Sequence, residues 1–178
     1  LINYNLKAPV DYYPLNMSQV SSIKNFESLC NDMKNGKINN LIILGANPVY
    51  DSPVDFDFAE SLKKVKNSVH LTNIIDETSK LCSWNIAMNH YFECWGDAMT
   101  YDGHVSIVQP QIMPLFDSKS IIQVLSPIVH SKEQSAYDTV KNVWKSNIIK
   151  SGNFEREWDK VLHDGLYKKP IFKKVNVR

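Results

Sequence analysis

The sequence predicts an α/β fold, a mostly parallel sheet flanked by helices and followed by an α-helical extension. Three observations predict it. Short apolar runs alternate with amphipathic stretches between Leu41 and Asn89, in the order strand, helix, strand, helix, strand. The first of these runs, "LIIL", ends on Gly45 with no polar residue inside it, the pattern of a parallel strand buried on both faces. Beyond Pro110 the strand pattern stops and helical windows take over.

Each element follows from local chemistry. In "MSQVSSIKNFESLCNDMKNGKIN", Val20, Ile23, Phe26, Leu29, Cys30 and Met33 recur at spacings of three and four. They make one apolar helical face, with Ser18 as N-cap and Gly36 just past the end. "NLIILG" then reads as a central, fully buried strand. After the Asn47-Pro48 turn, "DFDFAESLKKVKN" sets Phe58, Leu62 and Val65 on one helical face. "SVHLTNI" is a second strand, "DETSKLCS" one or two helical turns, and "WNIAMN" a third buried segment. "HVSIVQP" alternates and is closed by Pro110. The windows "SKSIIQVLSPIV", "SAYDTVKNVWKSNIIKS" and "NFEREWDKVLHDGL" are helical, with Ser135 as an N-cap and Gly152 and Gly165 as stops. The expected organisation is an extended segment over 1–16, an α/β domain over 17–117 and a helical extension over 118–178.

Composition narrows the function classes. The 178 residues are 43 % apolar and 22 % charged, as expected of a folded, soluble chain. Twenty basic and 19 acidic side chains give a net charge of +1 with no basic stripe, so nucleic acid is not an expected partner. No window reaches the roughly 20 apolar residues of a membrane span, and no signal peptide is visible. A first residue of Leu and a last residue of Arg178 are expected of a piece of a longer protein. Cys30, Cys82 and Cys94 lack C-x-x-C spacing and read as free thiols, so no metal centre is expected.

Three loops carry candidate chemistry. In "LGANPVYDSP", Gly45 permits a close backbone approach, Asn47 offers a donor and an acceptor, and Pro48 stiffens the turn. Ligands of open parallel sheets bind beyond the carboxyl ends of the strands, where this loop would lie. It is neither G-x-G-x-x-G nor a Walker loop, and a plain strand-ending turn fits it equally. "DETSKLC" should lie at the same edge; Glu77 and Thr78 there can cap a helix or meet ligand hydroxyls. "NHYFECWGDAMTYDGH" crowds His90, Glu93, Trp95, Asp97, Tyr101, Asp102 and His104 together. It lacks the second His of H-E-x-x-H, and a structural loop of mutually bonded His and acids is the simpler reading. Trp144, Trp158, Phe154 and Leu162 read as helix packing, His163 as a dipole partner, and no catalytic residue is assigned.

Laid in order, the "G-x-NP" loop, the "DET" turn, "H-Y-x-E-x-WGD" and "DG-x-V-S-I-V-QP" resemble the molybdopterin oxidoreductase superfamily. Within it the likeness is to the large iron–sulfur subunit of bacterial alternative complex III, a quinol:cytochrome c oxidoreductase, over about residues 17–170. The resemblance implies a Rossmann-like sheet in a fragment of a larger molybdopterin-oxidoreductase-like protein. It places Gly45, Asn47, Pro48, Glu77 and Thr78 along an edge that faces a pterin guanine dinucleotide in the family. Tyr91, Phe92, Glu93 and Gly96 correspond to the family's Y-L-E-x-x-G, with Phe for Leu. None of the three cysteines falls at a metal-ligand motif.

The resemblance therefore implies a vestigial cofactor edge in a non-catalytic domain, with iron–sulfur clusters expected elsewhere in the full-length protein. Its partners would be other domains of the same chain and subunits of a bacterial membrane respiratory complex, on the periplasmic side, without direct membrane insertion. The alternatives are a fragment of an active polysulfide- or thiosulfate-reductase-like enzyme holding molybdopterin guanine dinucleotide, and an unrelated nucleotide-binding α/β domain.

Overall fold

The computed structural model describes residues 11–14, 22–150 and 152–175. They form two compact units, residues 22–94 with 110–139, and residues 11–14 with 95–109 and 140–175.

The first unit holds the parallel sheet. Helix α1 (Ile23–Lys34) opens on Ser22, whose hydroxyl accepts the Asn25 N–H. The cap expected at Ser18, and Val20 of the apolar face, lie outside the described residues. Strand β1 (Asn40–Leu44) leads to the short helix α2 (Pro48–Asp51), a 3₁₀ turn (Val54–Phe56) and helix α3 (Phe58–Leu62). Strand β2 (Asn67–Thr72) pairs parallel with β1 and with β3 (Trp84–Ala87), in the order β1-β2-β3. Cys30 and Met33 of α1 meet Ile43, Phe58, Leu62 and Val65 in one core. Phe26 stacks on Phe58 at 5.5 Å between ring centroids. The expected apolar faces of α1 and α3 are those that pack, except at Ile23 in the first turn of α1, which is 70 % exposed.

Strand β1 departs from expectation. It is an edge strand, and only Ile43 of its run is buried, while Ile42 is 38 % exposed. The central strand is β2, where Ser68, His70 and Leu71 are buried. The cause is topological: successive crossovers step in one direction, so β1 gains a neighbour on one side only. "WNIAMN" is likewise not a buried segment, since β3 is the opposite edge and Trp84 is 67 % exposed. Ile42, Val69 and Trp84 share one register row across the three strands. "DETSKLCS" forms the short turns expected of it, closed by Lys80 N–H to Asp76 O and Cys82 N–H to Thr78 O. Helix α4 (Ile121–His130) begins in a capping box between Ser120 and Gln123.

The second unit holds an antiparallel sheet of β4 (Gly96–Met99), β5 (Val105–Val108) and β6 (Leu166–Tyr167). "HVSIVQP" is thus a strand, but not one of the parallel set. Helix α5 (Ala136–Val143) passes into a π turn (Trp144–Ile148), and α6 (Phe154–Asp164) is capped by Asn153 and stopped by Gly165 at φ +73°. Trp144 and Trp158 are buried against each other edge to face, 5.6 Å apart, and Phe154 stacks on Trp158. The packing expected of these aromatics is what is found. Gly103, at φ +87°, is required: a Cβ there would lie 2.7 Å from the Phe172 backbone nitrogen.

Between Thr100 and His104 the β4–β5 turn is tied by Asp102. Its carboxylate accepts from the Thr100 hydroxyl and the His104 N–H, and pairs with His104 Nδ1 at 2.9 Å. The Thr100 hydroxyl, with the His104 ring, holds the Asp102 carboxyl down to about 2. A lowered carboxyl favours the folded turn above the ordinary carboxylate range and loses that preference as pH falls through about 2. Carboxyl ¹³C titration is expected to show Asp102 still ionised at about pH 3, below the usual Asp value of about 3.9. A midpoint at that ordinary value would contradict the assigned ties.

Candidate functional site

The loop after β1 and the turn after β2 meet at one edge of the parallel sheet, as parallel strands require of their carboxyl ends. Gly45 turns the chain at φ +63°, and an added Cβ would make only ordinary contact with Met88, so its role is conformational. Asn47 precedes α2 in a non-helical conformation, as Pro48 at the first helical position demands. Its side chain makes no capping bond to α2. It reaches across instead: Nδ2 donates to Glu77 Oε2 at 2.8 Å, and Oδ1 accepts the Thr78 hydroxyl at 2.7 Å and the Thr78 N–H at 3.3 Å. Thr78 is fully buried, and its Oγ1 also accepts the Val49 N–H at 3.1 Å. Gly45, Asn47, Pro48, Glu77 and Thr78 therefore lie on two turns stitched directly together.

The edge is acidic. The Asn47 amide, ahead of smaller influences, holds the exposed Glu77 carboxyl below the ordinary range. Burial pushes the Asp76 carboxyl up, but the Ser79 N–H and hydroxyl and the His70 ring outweigh it and leave it lowered. Both acids thus stay ionised near neutrality, and no Lys or Arg lies between Leu41 and Leu62. Chemically, the Asn47 amide is spent on protein partners, and the outward charge beside it is negative.

A second tie lies beneath the first, and its key residue is absent from the sequence-based candidates. His70, fully buried on β2, places Nε2 2.9 Å from Ala46 O and Nδ1 3.0 Å from Ser79 Oγ. Ser79 donates from its N–H and its hydroxyl to Asp76 Oδ1 at 2.8 and 3.0 Å. The clue was the alternation of Ser68, His70 and Thr72 in "SVHLT": three polar side chains on one side of a strand whose neighbours are apolar.

The third candidate segment is structural where its partners are described. Glu93 accepts the His90 and Leu115 N–H groups at 2.8 Å each, and the Leu115 bond leads in lowering its carboxyl. His90, Tyr91 and Phe92 form an aromatic cluster with centroids 4.0 to 5.1 Å apart. In the second unit, Asp97 accepts the Trp144 indole N–H at 2.8 Å. Burial raises the thiols of Cys30, Cys82 and Cys94. Among the described residues no group of three or more His, Cys, Asp or Glu side chains could hold a metal ion. No helix among them is long and apolar enough to cross a membrane.

No family model matches the chain. Over 83 residues, 44 % of the chain, it is 34 % identical to a menaquinone reductase, molybdopterin-binding-like subunit of Nitratidesulfovibrio vulgaris. That match spans 12 % of the relative's length. The similarity supports a relationship with the molybdopterin oxidoreductases.

Proposed function

We propose that this chain is a non-catalytic, molybdopterin-oxidoreductase-like domain of a quinone-linked respiratory subunit. In finer terms, it is part of the iron–sulfur subunit of a membrane-bound quinol:cytochrome c oxidoreductase of the alternative complex III type. The observation that carries the reading is the closure of Asn47 onto Glu77 and Thr78.

A pterin dinucleotide is a polyanion, and sites that hold phosphates present unpaired backbone N–H groups, Arg or Lys. At this edge the Asn47 side chain is bonded to protein, the Val49 N–H is taken by Thr78, and the ionised Glu77 stands at the rim. Apart from the exposed Lys80 on the second turn, the two turns carry no cation, and the donor set does not fit a polyanion. A loop that satisfies itself in this way is suited to packing rather than to holding a cofactor.

The surface supports a docking role. Tyr91, Phe92, Ile112, Met113, Leu115 and Phe116 are exposed, and backbone bonds from Gln111 and Ile112 to Phe92 O hold the two segments together. A grouping of large apolar side chains marks surfaces that pack against other protein. Under this proposal the partners are other domains of a longer chain and neighbouring subunits. Iron–sulfur clusters are carried elsewhere, and the assembly sits on the periplasmic side of a bacterial membrane.

Metal analysis of the purified full-length complex tests the reading. Iron without stoichiometric molybdenum or tungsten is the expected result. Molybdenum or tungsten with bound pterin would overturn it in favour of an active reductase of the polysulfide or thiosulfate type.

A further inference from the structure

Beneath the Asn47 contacts, three short contacts meet around one buried imidazole: His70 Nε2 to Ala46 O, His70 Nδ1 to Ser79 Oγ, and Ser79 Oγ to Asp76 Oδ1. Counting hydrogens shows what the arrangement requires. A carbonyl oxygen can only accept, so Nε2 carries a hydrogen. With a neutral ring, the remaining hydrogen is that of the Ser79 hydroxyl, and it can serve either Nδ1 or Asp76, not both. One contact of the three is then lone pair against lone pair. A proton on Nδ1 removes the conflict: Nδ1–H donates to Ser79 Oγ, the hydroxyl turns to Asp76, and all three contacts become hydrogen bonds.

The surroundings single out that proton. Asp76 Oδ1 lies 3.6 Å from Nδ1, with its side chain 9 % exposed, so a buried carboxylate faces the ring. The ladder neighbours of His70 are Ile43 on β1 and Asn85 on β3, neither of them titratable. On the turn itself, Glu77 is bonded to Asn47, Lys80 is exposed, and Cys82 is a thiol raised by burial. Ala46 belongs to the loop after β1, and Asp76 and Ser79 to the turn after β2.

We propose that His70 is a positioning residue that makes the junction of these two turns proton-sensitive. Uptake of one proton on Nδ1 locks the Gly45–Pro48 loop to the Asp76–Ser79 turn; its loss slackens them. The inference is independent of the proposed function, because it concerns the two turns themselves.

Hydrogen–deuterium exchange in the full-length protein tests it. The reporters are the Val49 amide, bonded to Thr78, and the Ser79 amide, bonded to Asp76. After correction for the chemical exchange rate, their protection should rise on the order of tenfold as the pH is lowered from about 8 to about 5. In His70→Gln, which keeps polar atoms in place without a titrating ring, protection should be flat with pH. Asp76→Asn serves should that variant fail to fold, and it should shrink the dependence by removing the facing carboxylate. Flat protection in the parent protein, or an undiminished slope in either variant, would overturn the proposal.

Discussion

Replacing Trp158 by alanine is expected to destabilise the unit that contains it by about 3–5 kcal/mol, the range for emptying a buried aromatic site. Trp158 is almost wholly buried on α6, and its ring contacts Trp144 on one side and Phe154 on another. Its removal leaves a cavity that rigid aromatic neighbours cannot fill, so lost burial and lost packing add. The damage should spread to Asp97, because the Trp144 indole that donates to it is held by Trp158. Trp158→Phe keeps most of the contact and should cost clearly less. Urea unfolding followed by circular dichroism measures both, and a loss under about 1 kcal/mol for the alanine variant would refute this account of the core.

At the sheet edge, Thr78→Val is expected to cost about 1–3 kcal/mol although it changes shape very little. Thr78 Oγ1 accepts the Val49 N–H and donates to Asn47 Oδ1, and the residue is fully buried. Valine leaves the N–H without its acceptor and deprives the Asn47 oxygen of its shortest bond. The penalty is that of a desolvated, unpaired group rather than of lost packing. Thr78→Ser retains the hydroxyl and should recover most of the loss. The same urea measurement decides it: valine and serine variants of equal stability would show that packing, not the hydroxyl, matters here.

How much of this was legible beforehand depends on the range of the interaction. The strand character of Leu41–Leu44 was legible, because four apolar residues ending on a glycine are a local pattern. Its place at the sheet edge was not, since strand order depends on where the later crossovers go. The meeting of Asn47 with Thr78 followed from parallel topology alone, which sends both turns to one side. The role of His70 was only half legible: the alternation of Ser68, His70 and Thr72 marks a polar side of the strand but does not point to partners nine and 24 residues away. Trp84 was misjudged because an aromatic residue in a strand pattern reads as core whether or not anything covers it.

The π turn between Trp144 and Ile148 has a consequence for how this region tolerates changes of length. Its closing bond runs from the Ile149 N–H to Trp144 O at 2.9 Å, and both residues are buried. In an ordinary α-helix, residues five apart point about 140° away from one another and could not both face the same core. The wider turn brings them to one side by accommodating an extra residue. Deleting any one of Lys145 to Ile148 would leave the two residues four apart, about 40° from one another in a regular helix, so both would still face one core. Inserting a residue would set them six apart and swing either the tryptophan or the isoleucine toward water. Substitutions at the exposed Lys145, Ser146 and Asn147 change only the surface, whereas the number of residues there sets what the helix can bury.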